Sequence, residues 1–256
     1  MDDAELERRA NMVSDRLQSA RRLLFITGAG LSAESGLPTY RGTGGLYEDS
    51  DDEQGMSVED ALSGEVFERE PAITWKHIGR IEAACRGAQP NMAHRIMAKL
   101  ESRYEVLVLT QNIDGFHRAA GSTNVIDIHG DCHRILCTRC SYAEERDNYE
   151  GMALPPHCPT CGAVMRPDVI LFGERLPMDK LQRFFGELER GFDAYFSVGT
   201  SSLFPYIIEP MMQAARSRRL TIEINPDRTP ISSAVEVHLA CGAVRALSAV
   251  FPTIVR

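Results

Sequence analysis

Leu23-Leu24-Phe25-Ile26-Thr27-Gly28-Ala29-Gly30-Leu31-Ser32-Ala33 is the stretch on which the fold turns. Its first half is a short continuous apolar run that ends at glycine, the pattern of a parallel strand buried on both faces. Its second half matches the G-x-G-x-x-G/A form of a dinucleotide-binding turn. Glycines there let the backbone approach a pyrophosphate, and free amides at a helix start point at its charge. A tight strand-to-helix turn with no ligand accounts for the glycines equally well. The acidic residue that hydride-transfer enzymes carry about 20 positions further on is not evident, which argues against a dehydrogenase.

Similar apolar runs follow at 106–110, 125–128, 169–172, 194–198, 220–224 and 235–239. Helical stretches lie between several of them, such as Met178 to Arg190 and Pro205 to Arg218. Ahead of the first run, Leu6, Ala10, Val13 and Leu17 recur at the spacing of an amphipathic helix. Strands alternating with helices predict an α/β fold, a Rossmann-like parallel sheet with helices on both faces. Two segments break the alternation. Residues 42–100 read as a helical module with an acidic run, Glu48 to Glu53, near its start. Residues 132–165 carry clustered cysteines and the Pro155-Pro156 break, and read as a zinc-binding module. Both are expected to form a smaller second lobe. Residues 1–41, 101–131 and 166–256 remain for the Rossmann-like domain.

The 256 residues, 43% hydrophobic and 25% charged, suit a soluble globular protein of one large domain, or of a large domain with a small one attached. The net charge of −8 repels nucleic-acid phosphates and attracts basic peptides. No nucleic-acid partner is therefore expected. No run reaches the roughly 18 apolar residues that a membrane span needs, and Met1 to Arg9 lacks the apolar core of a signal peptide. No membrane partner is expected either. Seven cysteines, four in metal spacing and Cys85, Cys132 and Cys241 scattered, fit a reducing cytoplasm.

Cys137/Cys140 and Cys158/Cys161 are two C-x-x-C pairs enclosing 17 residues, the spacing of a structural zinc site. Four thiolates close a tetrahedral shell and leave no position for water, so no metal catalysis is expected. A redox pair is the alternative, and two pairs together weigh against it. His157 is a rival ligand beside a shell already complete. Gln111, Asn112 and Asp114 follow the run at 106–110. The C-terminal ends of strands in open α/β sheets are where ligands bind. Amides and a carboxylate there can fix an amide and ribose hydroxyls, and turn chemistry explains one of the three more easily than all of them. His129 ends the next run and is a candidate general base. His94, His117 and His238 read as structural. Arg41, in a Gly- and Pro-containing loop, can hold a phosphate or carboxylate by its planar fork.

These residues, in this order, resemble the sirtuin family of NAD-dependent protein lysine deacylases. The likeness runs from about Arg22 to Pro252. It rests on Gly28 to Ser32, Pro38 to Arg41, Thr110 to Asp114, His129-Gly130, the four cysteines, Phe172-Gly173-Glu174, Gly199-Thr200-Ser201 and Ile224-Asn225. The resemblance implies that NAD is a co-substrate and Zn2+ a single structural ion. The turn with Gly28, Ala29, Gly30 and Ser32, together with Arg41, would hold the pyrophosphate; Glu34, Thr39 and Tyr40 would also contact the cofactor, Tyr40 near the nicotinamide-side pocket. Gln111, Asn112, Ile113 and Asp114 would hold the nicotinamide and its ribose. Gly199, Thr200, Ser201, Asn225 and the backbone near Ala243 would hold the adenosine end. His129 would be the base. Ile113, Val169, Leu171 and Phe172 would wall the acyl-lysine tunnel, with the peptide added as a strand beside Phe172-Gly173-Glu174 and the Gly199 to Leu203 loop.

The family's chemistry explains a dinucleotide site without hydride transfer. The acyl oxygen of a modified lysine attacks the ribose, nicotinamide leaves, and the base deprotonates a ribose hydroxyl. Free lysine and O-acyl-ADP-ribose result. Members that remove succinyl groups carry a Tyr-x-x-Arg pair; Ile78 and Ile81 fall at those positions here. An apolar pair does not compensate a buried carboxylate. Acetyl and longer neutral acyl groups are therefore the expected substrates; Arg80, one residue away, is the charge that would alter this if it faced the tunnel. Tyr40 stands where family loops usually carry Phe. The rival readings are mono-ADP-ribosyl transfer, a non-catalytic NAD- or peptide-binding module, and zinc-ribbon nucleic-acid binding. The chain is expected to act on acyl-lysine proteins or peptides, as a monomer.

Overall fold

The computed structural model describes residues 1–37 and 56–255. In chain order its strands are β1 (Arg22–Thr27), β2 (Glu105–Thr110), β3 (Val125–Asp127), β4 (Gly130–Cys137), β5 (Ala143–Glu145), β6 (Met165–Val169), β7 (Ala194–Val198), β8 (Leu220–Ile224) and β9 (Val237–Leu239). Six of them form one sheet in the order β3-β2-β1-β7-β8-β9, and every neighbouring pair is parallel. With the strands of the second sheet left out, this is the doubly wound 3-2-1-4-5-6 order, whose direction of winding reverses between β1 and β7.

Period-two alternation explains why these strands read as unbroken apolar runs. Leu23 and Phe25 point to one core, with Val106, Val108 and Phe196. Leu24 and Ile26 point to the other, with Leu107, Leu109 and Ile126. Phe25 and Phe196 stack across β1 and β7 with ring centroids 4.5 Å apart. Helix Asp3–Leu17 covers the first core with Leu6, Ala10, Val13 and Leu17, all buried, and Asp2 caps it by accepting the Glu5 N–H at 2.8 Å. Helices Met178–Arg190 and Pro205–Arg216 cover the other face through Phe184, Ile207 and Met211.

The remaining strands form an antiparallel sheet, β5-β4-β6. The run at 169–172 therefore does not join the large sheet. Val169 ends β6, which pairs with β4; beyond it Phe172 bridges to Ser63 of the helical segment, and the Leu171 N–H donates to the Glu174 carboxylate. Four apolar residues do not distinguish a buried parallel strand from one that leaves a small sheet.

Residues 56–100 form helices Val58–Ala61, Gly64–Arg69, Pro71–Cys85 and Met92–Leu100. The first three pack on the small sheet. Leu62, Phe67, Trp75 and Ile78 share a core with Ile135, Tyr149, Met165 and Leu171. Trp75 is fully buried and its indole N–H donates to the Met165 carbonyl at 2.8 Å. The helical segment and the cysteine segment thus build one interior together. Helix Met92–Leu100 behaves differently: Ala93, Ile96, Met97 and Leu100 are buried in the core of the large sheet. Its packing sets it with that sheet although it lies within the 42–100 span.

Candidate active site

Both glycine-bearing strand ends meet at the winding reversal. Gly28 N–H donates to the Val198 carbonyl at 3.1 Å, and Gly30 N–H to the Gly199 carbonyl at 2.8 Å. A Cβ on Gly30 would lie 2.8 Å from Gly199 Cα, and one on Gly199, whose φ is +60°, would lie 2.3 Å from the Leu31 nitrogen. The glycines are therefore required by backbone-to-backbone contact between the β1 and β7 turns. The short helix Ala29–Ala33 starts there.

A cleft of about 1850 Å³ opens above this point, between the C-terminal edge of the large sheet and the small lobe. Gly28, Ala29, Gly30, Ser32, Glu34, Gln111, Asn112, Ile113, Asp114, His129, Gly199, Thr200, Ser201, Asn225 and Ala243 all line it. Ile78, Ile81, Val169, Leu171, Phe172, Gly173 and Glu174 line it too. Thr39, Tyr40 and Arg41 lie outside the described residues. Arg80 does not line the cleft; it lines a neighbouring shallow pocket with Ala72, Lys76 and Leu154.

The polar residues are tied to one another. Asn112 is nearly buried, and its side-chain nitrogen donates to the Gly28 carbonyl and to Ser32 Oγ, both at 3.1 Å. Its amide hydrogens thus hold the glycine turn. Ser32 Oγ donates to Asp114 Oδ2 at 2.6 Å, and Asp114 Oδ1 accepts the Phe116 N–H at 3.0 Å. Burial raises the Asp114 pKa, opposed by these two hydrogen bonds. The Asx-type turn is therefore present at Asp114, together with a link to Ser32 that turn chemistry alone does not call for. Gln111 Nε2 donates to Thr200 Oγ1 at 3.1 Å, and Asn225 Nδ2 to the Thr200 carbonyl at 3.0 Å, joining three strand ends.

His129 follows β3 and is half-buried. Its Nδ1 lies 3.1 Å from the Gln111 carbonyl and its Nε2 lies 2.7 Å from the Tyr206 hydroxyl. A carbonyl only accepts, so Nδ1 carries the proton and the neutral ring presents its lone pair at Nε2. Burial pushes its pKa below the ordinary histidine value; the Gln111 carbonyl partly restores it and Lys180 lowers it further. That is the state a general base requires near neutrality.

Two expected contacts have internal roles. Glu174 receives both Arg166 guanidinium nitrogens, at 2.7 and 2.9 Å, and the Leu171 N–H at 2.9 Å. Its carboxylate is held below its ordinary pKa by these partners against the cost of burial. Glu34 accepts the Val244 N–H at 2.9 Å, at the start of helix Ala243–Val250. Tyr206 and Phe204 had no motif to single them out in the sequence. Only a fold that brings residue 206 to residue 129 reveals them.

At the far end of the small lobe, the sulfur atoms of Cys137, Cys140, Cys158 and Cys161 all lie within 4.8 Å of one another. The Cys137–Cys161 pair is 3.4 Å apart and the Cys140–Cys158 pair 3.6 Å. Tetrahedral zinc with bonds of about 2.3 Å sets sulfurs roughly 3.8 Å apart, so the cluster fits that ion. His157 is not among these ligands; its backbone bridges to Val164.

The Sir2 family model matches residues 28–204. The chain belongs to the Sir2 family. It is 44% identical over 236 residues to NAD-dependent protein deacylase 2 of Pseudomonas syringae pv. tomato, covering 91% of this chain and 95% of that one. It is 46% identical over 232 residues to NAD-dependent protein deacylase 2 of Pseudomonas aeruginosa, covering 89% and 90%. Among solved Sir2 structures, a homologue in complex with NAD matches with TM-score 0.81 at 32% identity, covering 99% of this chain and 94% of that one. A Sir2–p53 peptide–NAD+ complex matches with TM-score 0.79 at 27% identity, covering 93% and 95%. The large parallel sheet and the small sheet of this Sir2 chain thus follow the fold of its family.

Proposed function

We propose that this protein is an NAD-dependent lysine deacylase that removes acetyl and longer neutral acyl groups from proteins. The observation that carries the proposal is His129, an imidazole held by the Gln111 carbonyl and lining the cleft. The residues there fit NAD: the glycine turn lies at the winding reversal of a doubly wound sheet, and Asp114, Asn112 and Gln111 line the same cleft beside it. Bound NAD supplies the ribose that receives the acyl group.

The protein's own part is positioning and proton transfer. Asn112 and Ser32 hold the glycine turn, Thr200 joins Gln111 to Asn225, and Nε2 of His129 takes a proton from a substrate hydroxyl. Ile78, Ile81, Val169, Leu171 and Phe172 give one side of the cleft an apolar wall. Such a wall favours methylenes by about 0.8 kcal/mol each and penalises a carboxylate. Arg80 does not line the cleft and offers a succinyl group no partner there. Zinc in the cysteine cluster has a structural role, since four sulfurs complete its shell.

The remaining features belong to the same proposal. The protein acts in the cytoplasm, where thiols stay reduced, and as a monomer. Among the described residues no helix is long and apolar enough to cross a membrane.

One peptide bearing acetyl, butyryl, myristoyl or succinyl lysine, each incubated with NAD and followed by mass spectrometry, tests the reading. Neutral acyl groups are expected to appear on ADP-ribose with release of nicotinamide. ADP-ribose left on protein would replace deacylation by mono-ADP-ribosyl transfer. Desuccinylation faster than deacetylation would overturn the neutral preference.

A further inference from the structure

The hydroxyl of Tyr206 meets the atom that must act as base. Nε2 of His129 has one lone pair once Nδ1 is protonated toward the Gln111 carbonyl, and the phenol lies 2.7 Å from it. A hydroxyl opposite that lone pair donates. His129 is the phenol's hydrogen-bond partner among the described residues.

This contact is built in. Pro205 opens helix Pro205–Arg216 and Tyr206 follows in its first turn, so a regular element sets its backbone. Ile207, the next residue, is fully buried in the core beneath the sheet and anchors that turn. Phe204 stacks on the Tyr206 ring, with centroids 5.7 Å apart and planes at 16°. Both rings meet the imidazole edge-on, Phe204 at 6.3 Å and Tyr206 at 6.2 Å. The imidazole is thus fixed at one end by a backbone carbonyl and at the other by a phenol whose own ring is clamped.

We propose that Tyr206 is a positioning residue for the His129 base. In the neutral state it donates to Nε2 and holds the ring in the Nδ1–H form. A substrate hydroxyl displaces it from the lone pair and transfers its proton to Nε2. The phenol oxygen then accepts the new Nε2–H, so the imidazolium is not left buried without a partner. Burial raises the Tyr206 pKa well above its ordinary value, so the phenol stays protonated throughout.

The inference rests on the deacylase reading, and the test separates the two. Nicotinamide release precedes the base-dependent step; acyl transfer and product formation follow it. Tyr206→Phe keeps the ring and removes only the hydroxyl. The variant is expected to lose about five- to tenfold in kcat for deacylation, the worth of one hydrogen bond. KM for NAD and the exchange of labelled nicotinamide into NAD, with the same acetyl peptide, are expected to stay within about twofold. Nitrogen NMR of the histidine rings is the second measurement. The wild-type protein should show His129 as the Nδ1–H form with a hydrogen-bonded Nε2, and Tyr206→Phe should shift the Nε2 resonance alone. Equal loss of exchange and deacylation, or no loss in either with an unmoved Nε2 resonance, would overturn the proposal. Wild-type protein that releases no nicotinamide with any acyl peptide would sink the deacylase reading instead, and the NMR comparison would still judge the Tyr206–His129 bond.

Discussion

His129 is held by two bonds that differ in character. The bond to the Gln111 carbonyl fixes which nitrogen carries the proton; burial fixes how readily the other accepts one. A base works only while unprotonated, so activity falls as pH drops through its pKa. Because burial lowers that pKa, the acid limb of kcat/KM is expected to have its midpoint below the ordinary histidine value of about 6.5. A profile of kcat/KM from pH 5 to 8 measures it, and a midpoint above about 7 would contradict the environment described for the ring. His129 was legible in the sequence because a strand end and a polar loop flank it locally. Tyr206 was not, because 77 residues separate it from His129 and no spacing rule spans that gap. The carboxylates of Glu34 and Glu174 also have partners that no local spacing announces, Val244 for the first and Arg166 with Leu171 for the second.

At the scale of elements, the cysteine module and the helical segment share their interior. Trp75 sits between them, bonded to Met165 and packed edge-on against Tyr149 with centroids 5.5 Å apart. Zinc therefore stabilises a lobe that also has apolar burial of its own. Displacing the cysteines from the metal with a mercurial reagent, in the presence of a zinc-binding dye, is expected to release about one zinc per chain. Protease should then cut within the small lobe faster than in the large sheet, and nicotinamide release should stop. Release of no zinc would remove the ion from this account; release with unchanged proteolysis would remove its structural role. The zinc spacing could be read directly because its ligands come in two short local pairs. The shared core could not, since Trp75 and Met165 meet only once β4 and β6 have formed. The run at 169–172 misled for a related reason: its apolar character is real, but it serves the cleft wall and the lobe's core rather than the large sheet.

Across the whole molecule, the large sheet has two apolar faces with polar groups buried among them, a pair of histidines included. His94 and His117 are both buried, with ring centroids 5.0 Å apart. His94 Nε2 and His117 Nδ1 have no hydrogen-bond partner among the described residues, while His117 Nε2 meets Thr27 Oγ1 at 2.9 Å. Burial lowers their pKa values to about 4 and about 3 respectively. Unfolding exposes both rings to water, where each binds a proton below about pH 6.5. The unfolded chain thus holds more protons than the native one below that pH, so stability falls as the solution is acidified toward pH 4. Each ring is expected to cost about 2 kcal/mol on going from pH 7.5 to pH 5, an order-of-magnitude figure. Denaturant unfolding at the two pH values measures the loss, and His117→Gln should reduce the difference even if it lowers stability at both. An unchanged difference would assign the acid sensitivity to other groups.

The joint interior of the small lobe also bears on how such a protein can be rearranged. Trp75, Phe67 and Leu62 come from one excursion of the chain and Ile135, Tyr149 and Met165 from another, with strand β2 and the base-bearing turn lying between them. The metal hairpin is consequently no portable cassette. A chimera that borrows the cysteine excursion from a relative must import the matching helices with it, or accept a mismatched seam around the indole.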